Sequence, residues 1–293
     1  MRRDFVLFVF GFYEAEKIKM DIHEAKFFKE FLNMTFLSYS NGWNERNGGN
    51  MSYRLSDKDS EEVIENFSFD RDWAEIGASV PGLKNEYFMV TGSGKYFRNT
   101  KSDPENNVAI IKIDDTGTKY KIVWGLESGG RPTSELPTHL MNHEVKKKQT
   151  DGRYRVIYHA HPVNLIALTY VLKQDTKVFT TELWDSMTEC PIVFPKGVAV
   201  IPWMVPGGRE IAVRTSELIK DYDIVVWCFH GAFVSGEDFD SAFGLMETVE
   251  KAAEIVVKVR SMGGKKYHLS KDDIMSLAKP YNVDINGDLV TDI

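Results

Sequence analysis

The sequence predicts an α/β fold, a mixed sheet with helices on both faces and part of its pairing antiparallel. Three observations carry this expectation. Short apolar runs of strand length alternate with stretches of helical periodicity, the pattern of a layered α/β domain. Two connections look like hairpins, which a purely parallel sheet excludes. With 293 residues, 43% hydrophobic and 27% charged, the chain can bury a sizeable core. It contains no internal repeat, low-complexity tract or long Pro/Gly/Ser linker, so one domain is the simplest organisation.

Phe27, Phe28, Phe31, Leu32, Thr35 and Phe36 recur at helical spacing, and Gly42 ends that helix. Residues 57–82 are polar and irregular, the pattern of a surface excursion. Residues 88–91 form a short strand closed by Gly92. Residues 109–113 and 120–124 flank Asp114-Asp115-Thr116-Gly117, a hairpin turn. Ser134 suits the N-cap of a helix with Pro137 in its first turn and Lys146-Lys147-Lys148 near its end. Residues 155–161 then read as a strand and 164–172 as a helix. Residues 192–194 and 198–201 look like strands, 210–219 a helix, 224–229 a buried strand and 239–259 a long helix.

Residues 1–19 stand apart. A basic start precedes the apolar run from Phe5 to Phe12, too short to span a bilayer and without a small-x-small cleavage signal. They are expected to be an N-terminal extension, with the domain covering residues 20–293. The net charge of -7, with no basic stripe, argues against a nucleic-acid binder. Two cysteines, Cys190 and Cys228, provide neither a disulfide framework nor a Cys-rich metal knuckle, which fits a reducing cytoplasm and no membrane role.

Of the seven histidines, His159 and His161 are the informative pair. Strand side chains alternate faces, so both point the same way and can converge on one ion. His230 ends an apolar strand beside Gly231. It is either a third ligand, leaving the open position of a catalytic metal site, or a strand-end histidine bonded to a carbonyl. His139 and His143 share a helix face, but a zinc-protease motif needs Glu where Leu140 stands; they read as packing residues or as support behind the site. Glu135, at a helix start, is either a favourable partner of the helix dipole or a general base beside the metal. Glu189 lies in a turn. Residues 44–50 and 91–95 are glycine-rich with Asn and Ser donors, candidate nests for an anion; neither has Walker A spacing.

Asn44-Glu45-Arg46-Asn47-Gly48-Gly49-Asn50, Val90-Thr91-Gly92-Ser93-Gly94-Lys95, Pro132-Thr133-Ser134-Glu135-Leu136-Pro137, His159-Ala160-His161, Ser186-Met187-Thr188-Glu189-Cys190 and Phe229-His230-Gly231 follow one another in that order. Together with Trp203-Met204-Val205-Pro206-Gly207 and Ser261-Met262-Gly263-Gly264, they resemble the class II sugar-phosphate aldolases and epimerases, and within that family its rhamnulose-phosphate branch. The resemblance runs over residues 20–283. It implies a three-layer α/β/α sandwich around a largely antiparallel sheet, a C4 homotetramer and an active site at a subunit interface. It also implies one Zn2+ per subunit on His159, His161 and His230, with Glu135 as acid/base and Glu189 reaching in from a neighbouring subunit. Asn47, Gly49, Ser93, Gly94, Thr133 and Ser134 would bind a sugar phosphate, and Asn50 would contact it. The reaction implied is cleavage of L-rhamnulose 1-phosphate into dihydroxyacetone phosphate and L-lactaldehyde through an enediolate. Fuculose-phosphate cleavage or pentulose-5-phosphate epimerisation would use the same scaffold. On bare chemistry a zinc hydrolase fits the same residues, and a metal-free interaction scaffold is the reading outside enzymology.

Overall fold

The computed structural model describes residues 20–290, so the expected extension at 1–19 lies outside the described residues. Helix α1 (Lys26–Ser40) buries Phe27, Phe28, Phe31, Leu32, Met34 and Thr35 along one face. Strand β1 (Asn50–Arg54), helix α2 (Asp57–Val63), the two-residue β2 (Ala74–Glu75) and β3 (Tyr87–Thr91) follow. A helical turn, α3 (Pro104–Asn107), leads into the hairpin of β4 (Val108–Ile113) and β5 (Lys119–Gly125). Helix α4 (Leu136–Gln149), β6 (Val156–Ala160) and α5 (Val163–Val171) come next. Then come α6 (Thr176–Ser186), the single turn α7 (Cys190–Val193), β7 (Ala199–Ile201) and α8 (Arg209–Leu218). β8 (Ile224–Trp227), β9 (Gly231–Gly236) and the long α9 (Phe239–Ser261) complete what bears on the site.

The nine strands form one sheet in the order β2-β5-β4-β3-β1-β6-β9-β8-β7. Among the described residues only the β7–β8 pairing is parallel, so the sheet is mixed and mostly antiparallel. Alternate residues of a strand serve opposite faces. Met89 joins a core with Phe28 of α1 and Val249 of α9, while its neighbours Phe88 and Val90 join another with Leu136 and Leu140 of α4. The middle of the sheet sets the site: Asn50 of β1 pairs with His159 of β6, and His159 with Phe233 of β9. A bridge between Gly92 and Pro132 brings the loop after β3 to the same end.

Several expectations need correction. Residues 192–194 are not a strand but run into the helical turn of α7; Pro191 opens that turn and offers no N–H to a sheet ladder. Helix α6 was not anticipated: its Thr176, Val178, Thr180 and Thr181 favour strand, yet Asp175 caps it by accepting from the Lys177 and Val178 N–H groups. Strand β9 was also missed, because it is buried on both faces and shows no alternation. The segment 57–82 is more than a surface excursion, since it buries Val63, Ile76 and Val80. Ser134 is exposed and does not cap α4; Glu135 takes the cap position without a side-chain bond. Lys146, Lys147 and Lys148 do lie in the last turn of α4, and there Lys146 is buried against Asp223, at 2.6 Å. Among the described residues no helix is long and apolar enough to cross a membrane.

Helix α5 starts two residues after His161, and Pro162 at its N-cap provides no side-chain acceptor. The acceptor comes from α9. Glu250 takes the Asn164 and Leu165 N–H groups, each at 2.9 Å, and the Asn164 amide at 2.8 Å. Removing the carboxylate strands buried donors, so Glu250→Ala is expected to cost about 1–3 kcal/mol in denaturant unfolding. The Glu254→Ala control, whose carboxylate meets surface lysines Lys251 and Lys258 on the same helix, should stay within about 0.5 kcal/mol. Equal stability of the two variants would remove Glu250 as the cap of α5.

Candidate active site

The histidine cluster is built by the adjoining ends of β6, β8 and β9. His159 is the fourth residue of β6 and His161 follows that strand. His230 sits in the turn between β8 and β9, where Phe229 takes a left-handed φ of 64°. Gly231 is needed for this approach, because a Cβ there would lie 2.2 Å from the Ala160 carbonyl oxygen. The ring centroids stand 5.1 Å apart for His159–His161, 5.0 Å for His159–His230 and 4.9 Å for His161–His230. One nitrogen from each lies within 4.8 Å of the others.

The remaining ring nitrogens decide what the cluster is for. His159 donates from Nδ1 to the Ala232 carbonyl at 3.0 Å, and Phe233 stacks on its ring at 4.4 Å. His161 donates from Nδ1 to the Glu45 carboxylate at 2.9 and 3.1 Å. In both rings this leaves the lone pair on Nε2. Those two Nε2 atoms and Nδ1 of His230 are buried and have no hydrogen-bond partner. Burial, with repulsion among the three rings, holds His159 well below the usual imidazole range and brings His230 to about 4. Imidazoles with outer nitrogens tied to a carbonyl and a carboxylate match the donor set of a divalent metal. The residues fit the ion they were expected to hold.

Glu135 stands at the start of α4 and is 6% exposed. Its Oε2 accepts from the Asn50 amide at 2.7 Å and lies 3.9 Å from His159 Nε2. Burial pushes its carboxyl up to about 7, against the pull of the Asn50 hydrogen bond. Such a group exchanges protons readily near neutrality.

A cleft of about 240 Å³ joins these groups to both glycine-rich loops. Asn47, Gly49, Asn50, Ser93, Gly94, Thr133, Ser134, Glu135, His159, His161 and His230 all line it. Gly49, with φ 71°, brings its backbone close enough that a Cβ would meet the His159 carbonyl oxygen at 2.7 Å. Glu189 does not line the cleft within one chain; it is exposed at the N-cap of α7. Sequence reasoning did not single out three residues that matter here. Pro206 and Gly207 line the cleft, and Glu45 orients His161; all three lay inside the quoted motifs. A larger hollow of about 770 Å³, over Ile201, Met204 and Val213, contains none of this chemistry.

The fold agrees with what the chain is similar to. Residues 29–257 match the family model described as Class II Aldolase and Adducin N-terminal domain. A rhamnulose-1-phosphate aldolase of Mannheimia succiniciproducens is 49% identical over 263 residues, 90% of this chain and 97% of that one. A rhamnulose-1-phosphate aldolase of Klebsiella pneumoniae is 45% identical over 262 residues, 89% of this chain and 95% of that one. Among solved structures, a sugar-phosphate aldolase from Thermotoga maritima superposes with a TM-score of 0.72 at 30% identity, covering 83% of this chain and 98% of that one. The chain therefore belongs to the class II aldolases, metal-dependent carbon–carbon lyases.

Proposed function

We propose that this protein cleaves L-rhamnulose 1-phosphate into dihydroxyacetone phosphate and L-lactaldehyde, with one Zn2+ per chain held by His159, His161 and His230. The observation that carries the proposal is the convergence of three imidazoles, each with a buried nitrogen that has no hydrogen-bond partner, beside the buried carboxyl of Glu135. The two relatives at 45% and 49% identity, both named for that substrate, support its identity. When bound by the three histidines, such an ion would supply Lewis-acid stabilisation of the negative charge that develops on the substrate.

The chain's own groups do the rest. Asn47, Gly49, Ser93, Gly94, Thr133 and Ser134 offer neutral donors to the phosphate, gripping the substrate away from the breaking bond and so orienting it. Glu135 returns a proton to C3, the carbon that becomes the hydroxymethyl group of dihydroxyacetone phosphate. The C4 hydroxyl must lose a proton as C4 becomes the aldehyde, and we assign that task to Glu189 of a neighbouring copy. This requires assembly, and we propose a C4 homotetramer of three-layer α/β/α subunits. Two features support assembly. Glu189 is absent from the cleft of its own chain, and α5 leaves Val163, Tyr170 and Val171 exposed at 64, 70 and 59% beside the site. Two free, buried cysteines accord with action in the cytoplasm.

Purified protein is expected to contain about one zinc per chain, as three histidines and an open position imply. It should release dihydroxyacetone phosphate from L-rhamnulose 1-phosphate faster than from L-fuculose 1-phosphate, and stop when a chelator is added. Preference for another sugar phosphate, or activity that survives metal removal, would overturn the assignment. Borohydride added during turnover should trap no adduct, because no lysine forms a Schiff base. Glu135→Gln should keep its metal while kcat drops on the order of 10²-fold; undiminished turnover would remove Glu135 from the chemistry. Tyr170→Glu should reduce the mass measured by light scattering, and an unchanged mass would take α5 out of the interface.

A further inference from the structure

Behind the cleft a line of buried polar groups runs from Glu135 into the sheet. The Asn50 amide has a partner on each side: Nδ2 donates to Glu135 Oε2 at 2.7 Å, and Oδ1 meets His139 Nε2. The other nitrogen of His139, Nδ1, lies 2.6 Å from Ser52 Oγ, and the same hydroxyl lies 2.8 Å from His143 Nε2. Ser52, His139 and His143 are fully buried, and none of them lines the cleft. Burial holds both imidazoles far below their usual range, His139 at about 3. A neutral imidazole has one donor and one acceptor nitrogen, whereas an ionised carboxylate only accepts.

With Glu135 ionised, those rules leave one direction for every bond in the line. Glu135 accepts from the Asn50 amide nitrogen, so Asn50 Oδ1 must accept from the N–H of His139 Nε2. His139 Nδ1 then bears the lone pair and accepts the Ser52 hydroxyl proton, and Ser52 Oγ accepts from His143 Nε2. Reversing any member sets donor against donor or acceptor against acceptor inside the core, where a lost bond is expensive.

We infer that His139 is a positioning residue for Glu135: with Ser52 and His143 it locks the Asn50 amide so that it donates to Oε2, leaving Oε1 as the oxygen that takes and returns the proton. Asn50, expected to contact substrate, lines the cleft and has both amide heavy atoms engaged by the protein, so it also holds Glu135. Without the His139 N–H, the amide is free to rotate and present its oxygen to the carboxylate. The inference rests on the reading of Glu135 as the acid/base.

The test compares kcat, KM and zinc content for His139→Leu, His139→Gln and Ser52→Ala, each made in the wild-type and in the Glu135→Gln enzyme. Glutamine can place an N–H near the position of Nε2; leucine cannot. In the wild type His139→Leu should lower kcat roughly tenfold and Ser52→Ala roughly threefold, with KM and zinc unchanged. His139→Gln should recover most of the loss. In the Glu135→Gln background none of the three should lower kcat further, because they act through a carboxylate already removed. Equal losses in both backgrounds, a loss that falls on KM or on zinc, or undiminished kcat in every variant would overturn the inference. Should His139→Leu fail to fold, Ser52→Ala and His139→Gln decide it by the same comparison. Normal turnover in Glu135→Gln itself is a different failure, since it removes the acid/base reading on which this one stands.

Discussion

Three imidazoles converge at one point, each with a buried nitrogen that has nothing to bond to, and the arrangement around them follows from that constraint. A buried polar atom without a partner is costly, and three placed together are tolerated only where something else satisfies them. The surrounding bonds turn the cost to use. The Ala232 carbonyl and the Glu45 carboxylate each take one N–H, which fixes the tautomer and aims the lone pair of His159 and of His161 inward. Phe233 stacks on His159 and holds the plane of its ring. The site is thus prepared before any ligand arrives.

The sheet makes this preparation possible. Antiparallel pairing across β1, β6 and β9 sets Asn50, His159 and Phe233 side by side, residues far apart in the chain. Strands move together only in register, and a one-residue slip would turn each side chain to the opposite face. At this junction Gly231 lets the turn that carries His230 lie against β6. Glu135 reaches the same place from a different direction, at the head of α4, where burial rather than a neighbouring charge sets its proton affinity. The three histidines on strands and turns and the carboxyl on a helix start are thus held by separate parts of the fold.

Much of this was legible in the residues. The alternation in residues 155–161 placed His159 and His161 on one face, and the mixed sheet followed from hairpin signals around Gly117. Other features were not legible for physical reasons. Strand β9 is buried on both sides, so it lacks the polar-apolar alternation that marks a half-exposed strand. Helix α6 runs against its own β-branched residues because a cap and tertiary packing outweigh propensity. Convergence of His230 with the pair could not be read from spacing, since 69 residues separate it from His161 and only strand pairing brings them together. The line of hydrogen bonds behind Glu135 likewise needs the register of β1 against α4 and β6, although His139 and His143 already shared one helix face.

The most direct measurement is X-ray absorption at the metal edge of the purified protein, without substrate. The account predicts zinc with three imidazole nitrogens at about 2.0–2.1 Å and a light oxygen donor completing the shell. The number of imidazoles should fall by one in each of His159→Ala, His161→Ala and His230→Ala. Sulfur in the shell, or a full imidazole count that survives any one of these substitutions, would contradict it.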